Sequence, residues 1–376
     1  MNSIRVTYCS NCLTPSSRPR IEFDDNGICN ACRHAEKKFD EIDWKLRSEE
    51  FLEILEAHRS KNGSWDCVVP WSGGKDSSAI AYKLKYEFGM NPLLVTYSPL
   101  LPTEVGIHNR NALIDSGFDA YLYTPNKKVE RHLSRRFFIE RGNPKVSWDA
   151  GINALPVRVA MTHNIKLVFY AEHGETEYGG KVLNKNSSKI RDFTEVLEHQ
   201  IGDDPRNWED AQVPVTGLQS YLYPDKSSLE EAGLTAYYFA YFNKWSMFEN
   251  FNYIKEKINF RSAPNGRTSG TFTDFDSLDD KIDLLYYYMQ YIKFGFGRCV
   301  RDASRFIQNN QLSRKKGLHY CHQFDHEYPA LYLDEVLDYL CLNIDEFTKT
   351  IDLHRNPEIW SRNGNGWQLR HPLPSN

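Results

Sequence analysis

Along the first half of the chain, short apolar runs alternate with longer stretches in which apolar side chains recur every three or four positions. The runs are Val68-Val69-Pro70, Pro92 to Tyr97, Ala120 to Tyr123 and Ile165 to Tyr170. Between them, Ile80, Ala81, Leu84 and Phe88 fall on one helical face, Thr103 can cap a helix ending at Ser116-Gly117, and residues 129–140 and 149–163 carry helical patterns, the last interrupted by Pro156. Buried strands alternating with amphipathic helices predict an α/β fold, a doubly wound parallel sheet with its ligands at the carboxyl ends of the strands. Trp44, Leu46, Phe51, Leu52 and Leu55 predict a connecting helix ahead of it. Beyond residue 200 the pattern turns mainly helical, with periodicity at Ile282, Leu285, Met289 and Ile292 and again around Leu333, Val336, Leu337 and Leu340. The aromatic run Tyr237 to Phe242 reads as core, because it lacks the interleaved Lys or Arg of a base-stacking platform. The expected organisation is 1–40, a small cysteine module; 41–65, a connecting helix; 66–200, the sheet domain; and 201–376, a mainly helical region.

Composition narrows this picture. Of 376 residues, 40% are hydrophobic and 14% aromatic, enough for a sizeable core, and the net charge of −4 carries no nucleic-acid signature. The first fourteen residues lack an apolar stretch and no run approaches a membrane span, so a cytoplasmic protein is expected. Its eight cysteines should then be thiols or metal ligands. Cys9-x2-Cys12 and Cys29-x2-Cys32, sixteen residues apart, have the spacing of a zinc ribbon, in which two knuckles close one tetrahedron. Zn²⁺ is the expected occupant, with an iron–sulfur cluster the alternative. Four protein ligands leave no open position, so the site should be structural. Cys67, Cys299 and Cys341 read as small core residues, the tail from Ser361 as loosely held, and His319, Cys321, His322 and His326 as lacking a recognised ligand spacing.

The chemistry concentrates where the first apolar run ends, in Ser72-Gly73-Gly74-Lys75-Asp76-Ser77. Two glycines let consecutive N–H groups turn into one concavity, a helix N-terminus adds partial positive charge, and Lys75 adds a cation. Asp76 makes sense beside phosphates if a divalent cation such as Mg²⁺ lies between them. A Walker A loop is excluded, since Asp76 and Val69 stand where that motif needs Ser or Thr and Gly. Lys75 and Asp76 should both face phosphates, so replacing either should leave the packing intact. After the last strand, Glu172-His173-Gly174-Glu175-Thr176-Glu177 gathers carboxylates and a His where an α/β sheet keeps its active-site loops. Lys293-Phe294-Gly295-Phe296-Gly297-Arg298 offers two cations on a flexible turn, as an anion clamp or a plain interhelical connection.

The Ser-Gly-Gly-Lys-Asp-Ser turn resembles the pyrophosphate loop of the PP-loop ATP pyrophosphatases, which have the adenine nucleotide alpha hydrolase-like fold and cleave ATP to AMP and pyrophosphate. Together with the cysteine pairs, Asn91 to Tyr97, Trp148-Asp149-Ala150-Gly151-Ile152-Asn153, Glu172 to Gly180 and Lys293 to Arg298, it resembles the N-acetyl sugar amidotransferases of surface-glycan biosynthesis. That resemblance implies an AMP-forming C–N ligase acting on a UDP-linked N-acetylated sugar, a diacetamido uronic acid, in O-antigen assembly. The acetamido oxygen would be adenylated and ammonia from a partner glutaminase would displace AMP, leaving an acetamidino group. Ser72, Gly73, Gly74, Lys75, Asp76 and Ser77 would then hold the pyrophosphate, Asp76 and Glu172 would bind Mg²⁺, and Thr96 and Tyr97 would edge the adenosine pocket. Lys293 and Arg298 would add cations, and Glu175 or His173 would take the proton from the attacking amine.

Two rivals remain at this level. A tRNA-modifying PP-loop enzyme would share the ATP chemistry, but Cys67 has no companion thiol near the phosphate loop and the charge is acidic. A zinc-ribbon adaptor that only binds nucleotide would have no need of Lys75 and Asp76. No glutaminase signature is present, and Asn2 rather than Cys follows Met1. Ammonia is therefore expected from a separate subunit, in a pair like that of imidazole glycerol phosphate synthase.

Overall fold

The computed structural model describes residues 5–183, 188–364 and 366–375; Met1 and Asn2 lie outside them. Five parallel strands form the central sheet: β1 (Cys67–Pro70), β2 (Pro92–Tyr97), β3 (Asp119–Tyr123), β4 (Leu167–Tyr170) and β5 (Thr235–Tyr238). Their order is β3-β2-β1-β4-β5. The chain winds outward from β1 to β3, returns to β4 on the other side of β1, and continues to β5. The reversal between β1 and β4 is a topological switch point, and it opens a crevice at their carboxyl ends.

Alternation along the strands divides the core. Cys67, Val69, Leu94, Leu167 and Phe169 point to one face, covered by helices α2 (Trp44–His58) and α3 (Lys75–Tyr86) and by the helix Met247–Lys257. Val68, Leu93, Val95, Val168 and Tyr170 point to the other, where Leu133 and Phe137 of α5 (Lys127–Arg141) and Val159 and Ala160 of α6 (Val146–Thr162) cover them. Both faces are dry, which is why these strands read as continuous apolar runs. The helix predicted from Thr103 is α4 (Glu104–Asp115), and the Thr103 side chain accepts from Gly106 N–H as its cap. Pro156 lies inside α6 and is buried there.

The sheet does not stop where the composition changes. β5 comes from the aromatic run beyond residue 200, with Ala236 and Tyr238 buried on the α6 side, and Phe239 and Phe242 just beyond it joining the opposite core. Two smaller readings are corrected. Cys341 is exposed, not core, because it ends its helix in the left-handed region at φ 51°. The segment from Ser361 is paired in a hairpin, Trp360–Asn363 with Gly366–Leu369, anchored by Trp360 packing edge-on against Tyr291. Among the described residues no helix is long and apolar enough to cross a membrane.

Two contacts set the geometry at the switch point. Gly73 takes φ 98°, and a Cβ there would come within 2.4 Å of the Arg110 side chain, so this bend admits only glycine. Gly151 on α6 lies under the Tyr97 ring, which an added Cβ would meet at 2.4 Å. The helix can therefore approach the end of β2 closely enough to wall the crevice.

Candidate active site

β1 ends at Pro70, and three bonds brace the turn that follows. Trp71 N–H donates to the Val95 carbonyl (2.9 Å), the Thr96 hydroxyl donates to the Trp71 carbonyl (2.5 Å), and Trp71 Nε1 donates to Ser78 Oγ (2.9 Å). The loop then passes into α3 with Gly74 as N-cap and no capping side chain. The first-turn N–H groups have no intrahelical acceptor, and residues 72–77 line a cleft of about 310 Å³ at the end of the sheet.

Lys75 is the pivot of this cleft. It is 3% exposed, with Nζ 2.7 Å from Asp76 Oδ2 and 2.6 Å from Asp276 Oδ1. Burial disfavours its charge, but Asp276 and Asp76 outweigh that and its pKa rises. Asp276 is held ionised in return: against burial, Lys75, Arg301 and Arg298 keep its pKa far below the usual carboxylate range. Arg301 Nη2 reaches Asp276 at 2.7 Å, and Asn250 donates to Asp76 Oδ1 at 3.0 Å. The expectation that Lys75 could be removed without structural cost is thereby corrected, since the ammonium is the counter-ion of two carboxylates.

The acidic stretch after β4 divides by function. Only Glu172 is electrostatically coupled to the phosphate loop. Burial, then the charge of Asp76, pushes its pKa up to about 7, against the pull of Arg305, while Tyr178 donates to it at 3.0 Å. The repulsion between the Asp76 and Glu172 carboxylates is of the kind a hard divalent cation relieves. His173, Glu175 and Glu177 turn elsewhere. His173 is buried, with Nε2 3.1 Å from Glu195 and Nδ1 2.6 Å from Thr176, and burial lowers its pKa. Glu175 is bound by Arg20 through two nitrogens at 3.0 and 2.7 Å, and Glu177 takes Lys38 at 2.8 Å and His34 at 3.2 Å. Glu175 and His173, expected to take the proton of the attacking amine, are held by Arg20 and by Glu195 and Thr176, and neither lines the Ser72–Ser77 cleft. Their bonds fix the short helix α7 (Gly174–Tyr178) and clasp the cysteine module against it.

That module brings its four thiols together. Cys9, Cys12, Cys29 and Cys32 are buried and their sulfurs lie within 4.8 Å of one another, with 3.9 Å between Cys9 and Cys32 and 3.6 Å between Cys12 and Cys29. Tetrahedral zinc–thiolate bonds of about 2.3 Å imply sulfur separations of about 3.8 Å. Cys29 N–H donates to Cys9 sulfur (3.3 Å) and Thr14 N–H to Cys12 sulfur (3.4 Å), bonds that stabilise thiolates. The donor set fits zinc. Among the described residues no other His, Cys or carboxylate group gathers in this way, including His319, Cys321, His322 and His326.

The remaining predicted residues separate. Thr96 is committed to bracing the loop. Tyr97 lines a second cavity of about 230 Å³ that also touches Ser72 and Ser77, and its hydroxyl donates to Glu130 at 3.3 Å. Burial holds Glu130 protonated to about pH 8. Arg298 is 1% exposed and donates to the Asp276 carbonyl, so it supports the Lys75 network from behind. Lys293 is not at the loop: its ammonium donates to the Arg141 carbonyl at 2.8 Å and ties two helices together. The two cations therefore do not form one clamp.

Asp276, Arg301, Asn250 and Asp149 were missed as site residues. The run of acidic positions at Asp274, Asp276, Asp279, Asp280 and Asp283 was the available signal, since so many carboxylates are rare beside buried aromatics. Asp149 lines the phosphate-loop cleft from α6, and burial raises its pKa to about 7 despite Lys145.

Asp276, Arg298, Arg301 and Arg305 all fall in residues 269–373, which match the family described as LPS biosynthesis protein WbpG-like, C-terminal domain. The C-terminal domain of this chain is WbpG-like. A second similarity is to the uncharacterized protein MJ1599 of Methanocaldococcus jannaschii, 32% identical over 88 residues, which are 23% of this chain and 31% of that protein. The WbpG-like domain thus closes the cleft whose floor is the Ser72–Ser77 loop.

Two outcomes follow for this site. Lys75→Ala should lower Tm, losing about 1–3 kcal/mol because Arg301 still partners Asp276. Asp76→Asn, which keeps an acceptor for Asn250 and leaves Asp276 as the counter-ion of Lys75, should lower Tm by less than Lys75→Ala. Both should lose pyrophosphate release from ATP by about 10²-fold or more, and near-normal turnover in either would sink the assignment. Metal analysis of the purified protein should give about one zinc per chain, lost when Cys29 and Cys32 are replaced; iron in place of zinc would overturn the ribbon.

Proposed function

We propose that the chain is an ATP-dependent amidotransferase that converts an acetamido group of a nucleotide sugar to an acetamidino group during lipopolysaccharide biosynthesis. The observation that carries this reading is the junction of a glycine-rich Lys75–Asp76 loop at a sheet switch point with Asp276 and Arg301 of a WbpG-like domain. An amide carbon is a poor electrophile because its oxygen is a poor leaving group. Attack of that oxygen on the α-phosphorus of ATP breaks the bond to the β-phosphate and releases pyrophosphate. Ammonia then adds to the imidate carbon, AMP departs with the oxygen, and one proton is lost.

The Ser72–Ser77 backbone and Lys75 are suited to binding the departing pyrophosphate, the ammonium lying already charged and oriented. Asp76 and Glu172 would hold Mg²⁺, which would neutralise phosphate charge when bound. The cavity edged by Pro70, Val95 and Tyr97 suits a flat apolar base. For the proton of the incoming amine the best-placed group is Asp149. It lines both the phosphate-loop cleft and a larger adjoining cavity, and faces Lys145 on its own helix and Asp283 and Tyr286 on the helix Asp283–Phe294. Ammonia would come from a partner glutaminase.

Pyrophosphate release should therefore require ATP, a UDP-linked acetamido sugar and ammonium together, with high ammonium replacing glutamine plus a glutaminase. Release dependent on tRNA, or glutamate formed from glutamine by the isolated chain, would refute the reading. The pH profile is a further check. Asp149 must be ionised to accept a proton and its pKa is raised, so turnover should fall as pH drops below about 7, and Asp149→Asn should abolish turnover rather than shift the limb. Measured at constant free ammonia, a profile flat from pH 6 to 8 would remove Asp149 from this role.

A further inference from the structure

A cavity of about 600 Å³ is absorbed by neither the phosphate loop nor the cysteine site. It lies between the cysteine module, α7 and the two helices Asp283–Phe294 and Arg298–Gln308. It shares Asp149, Tyr286 and Tyr287 with the phosphate-loop cleft, so a molecule filling it can present a group to ATP. Four guanidinium groups line it, Arg18, Arg20, Arg301 and Arg305, against the single carboxylate of Asp149. Arg20 and Arg301 are spent on Glu175 and on Asp276. Neither of the other two forms an ion pair among the described residues, although Glu175 acts on Arg18 and Glu172 on Arg305 at longer range. Arg18 donates to the neutral Gly179 carbonyl, and Arg305 stacks on the Tyr178 ring at 3.5 Å with its buried Nε lacking a hydrogen-bond partner.

Electrostatics show the same deficit of negative charge. Burial, with the repulsion of Arg305 and Arg20, pulls the Arg18 pKa down to about 10 despite Glu175. His199, its side chain 2% exposed, also lines the cavity; its ring nitrogens make no hydrogen bond, but Glu175 and Glu195 lie 3.8 Å from Nδ1 and Glu198 3.6 Å from Nε2, so it adds no unmatched charge. Buried cations and unsatisfied donors at this density are costly unless an anion joins them. Beside them stand Tyr286 and Tyr287, flat faces for a sugar ring, and the amides of Asn143 and Gln290 for its hydroxyls.

Resting on the amidotransferase reading, we propose that this cavity is the acceptor site, and that Arg18 of the cysteine module and Arg305 of the WbpG-like domain clamp the diphosphate of the nucleotide sugar. The cysteine module is then a wall of the substrate site and not an appendage. Its metal holds Arg18 at the place where the acceptor is read, while the acetamido end points toward Asp149 and the ATP cleft.

The test is calorimetric titration of the zinc-loaded full chain with a UDP-linked diacetamido uronic acid and, separately, with a non-hydrolysable ATP analogue. Arg305→Gln and Arg18→Gln should each weaken the sugar nucleotide about tenfold or more, as expected for a charge-assisted bond, and leave the ATP analogue unchanged. The Arg305 guanidinium stacks on Tyr178 with its Nε unpartnered, so its variant remains informative if Arg18→Gln folds poorly. Unaltered sugar-nucleotide affinity for folded Arg305→Gln overturns the clamp and leaves the amidotransferase reading standing. Weakened binding of the ATP analogue instead assigns these cations to ATP and also overturns it. Failure of the unsubstituted chain to bind the sugar nucleotide at all would refute both.

Discussion

Lys75 sits where three pieces of the chain meet. Its ammonium is shared between Asp76, the next residue on the phosphate loop, and Asp276, two hundred residues away. Burying that cation is tolerable only because both carboxylates are there, and burying Asp276 is tolerable only because Lys75 and Arg301 are. The loop, the WbpG-like domain and the helix carrying Asn250 are thus held in one arrangement by mutual electrostatic need. For the proposed phosphate site, groups charged and fixed in this way need little reorganisation.

The acidic stretch after β4 works as a second hub. Glu172 looks toward Asp76, while Glu175 and Glu177 look back to Arg20, His34 and Lys38 of the cysteine module. One short helix therefore transmits the position of the metal ribbon to the carboxyl end of β4. Gly179 and Gly180 complete the contact: a Cβ at Gly179 would strike Ile21 and Asn30, and one at Gly180 would strike Glu175.

Much of the architecture was legible in the sequence. β1, β2 and β4 are buried on both faces, so each is a continuous apolar run, and turn residues mark their ends, whereas the edge strand β3 is largely exposed. The phosphate loop and the cysteine pairs are local motifs, whose function requires residues close in sequence. β5 was less visible: its alternate exposure and the adjoining aromatics resemble generic core, and only pairing with β4 makes it a strand.

The sequence by itself determined the alternating α/β pattern, the glycine-rich turn at Ser72–Ser77 and the four-thiol module, because local spacing and backbone sterics suffice for each. Tertiary structure alone decided which charges serve which purpose. Glu172, Glu175 and Glu177 are chemically alike and nearly adjacent, yet one faces Asp76 and two hold the cysteine module. Lys293 and Arg298 lie five positions apart, yet one ties helices and the other backs the active-site ion network. Direction and burial of a side chain depend on what packs around it, and those neighbours come from distant parts of the chain. Asp276, Asp149 and Arg305 acquire their candidate roles only when the fold brings them to the end of the sheet.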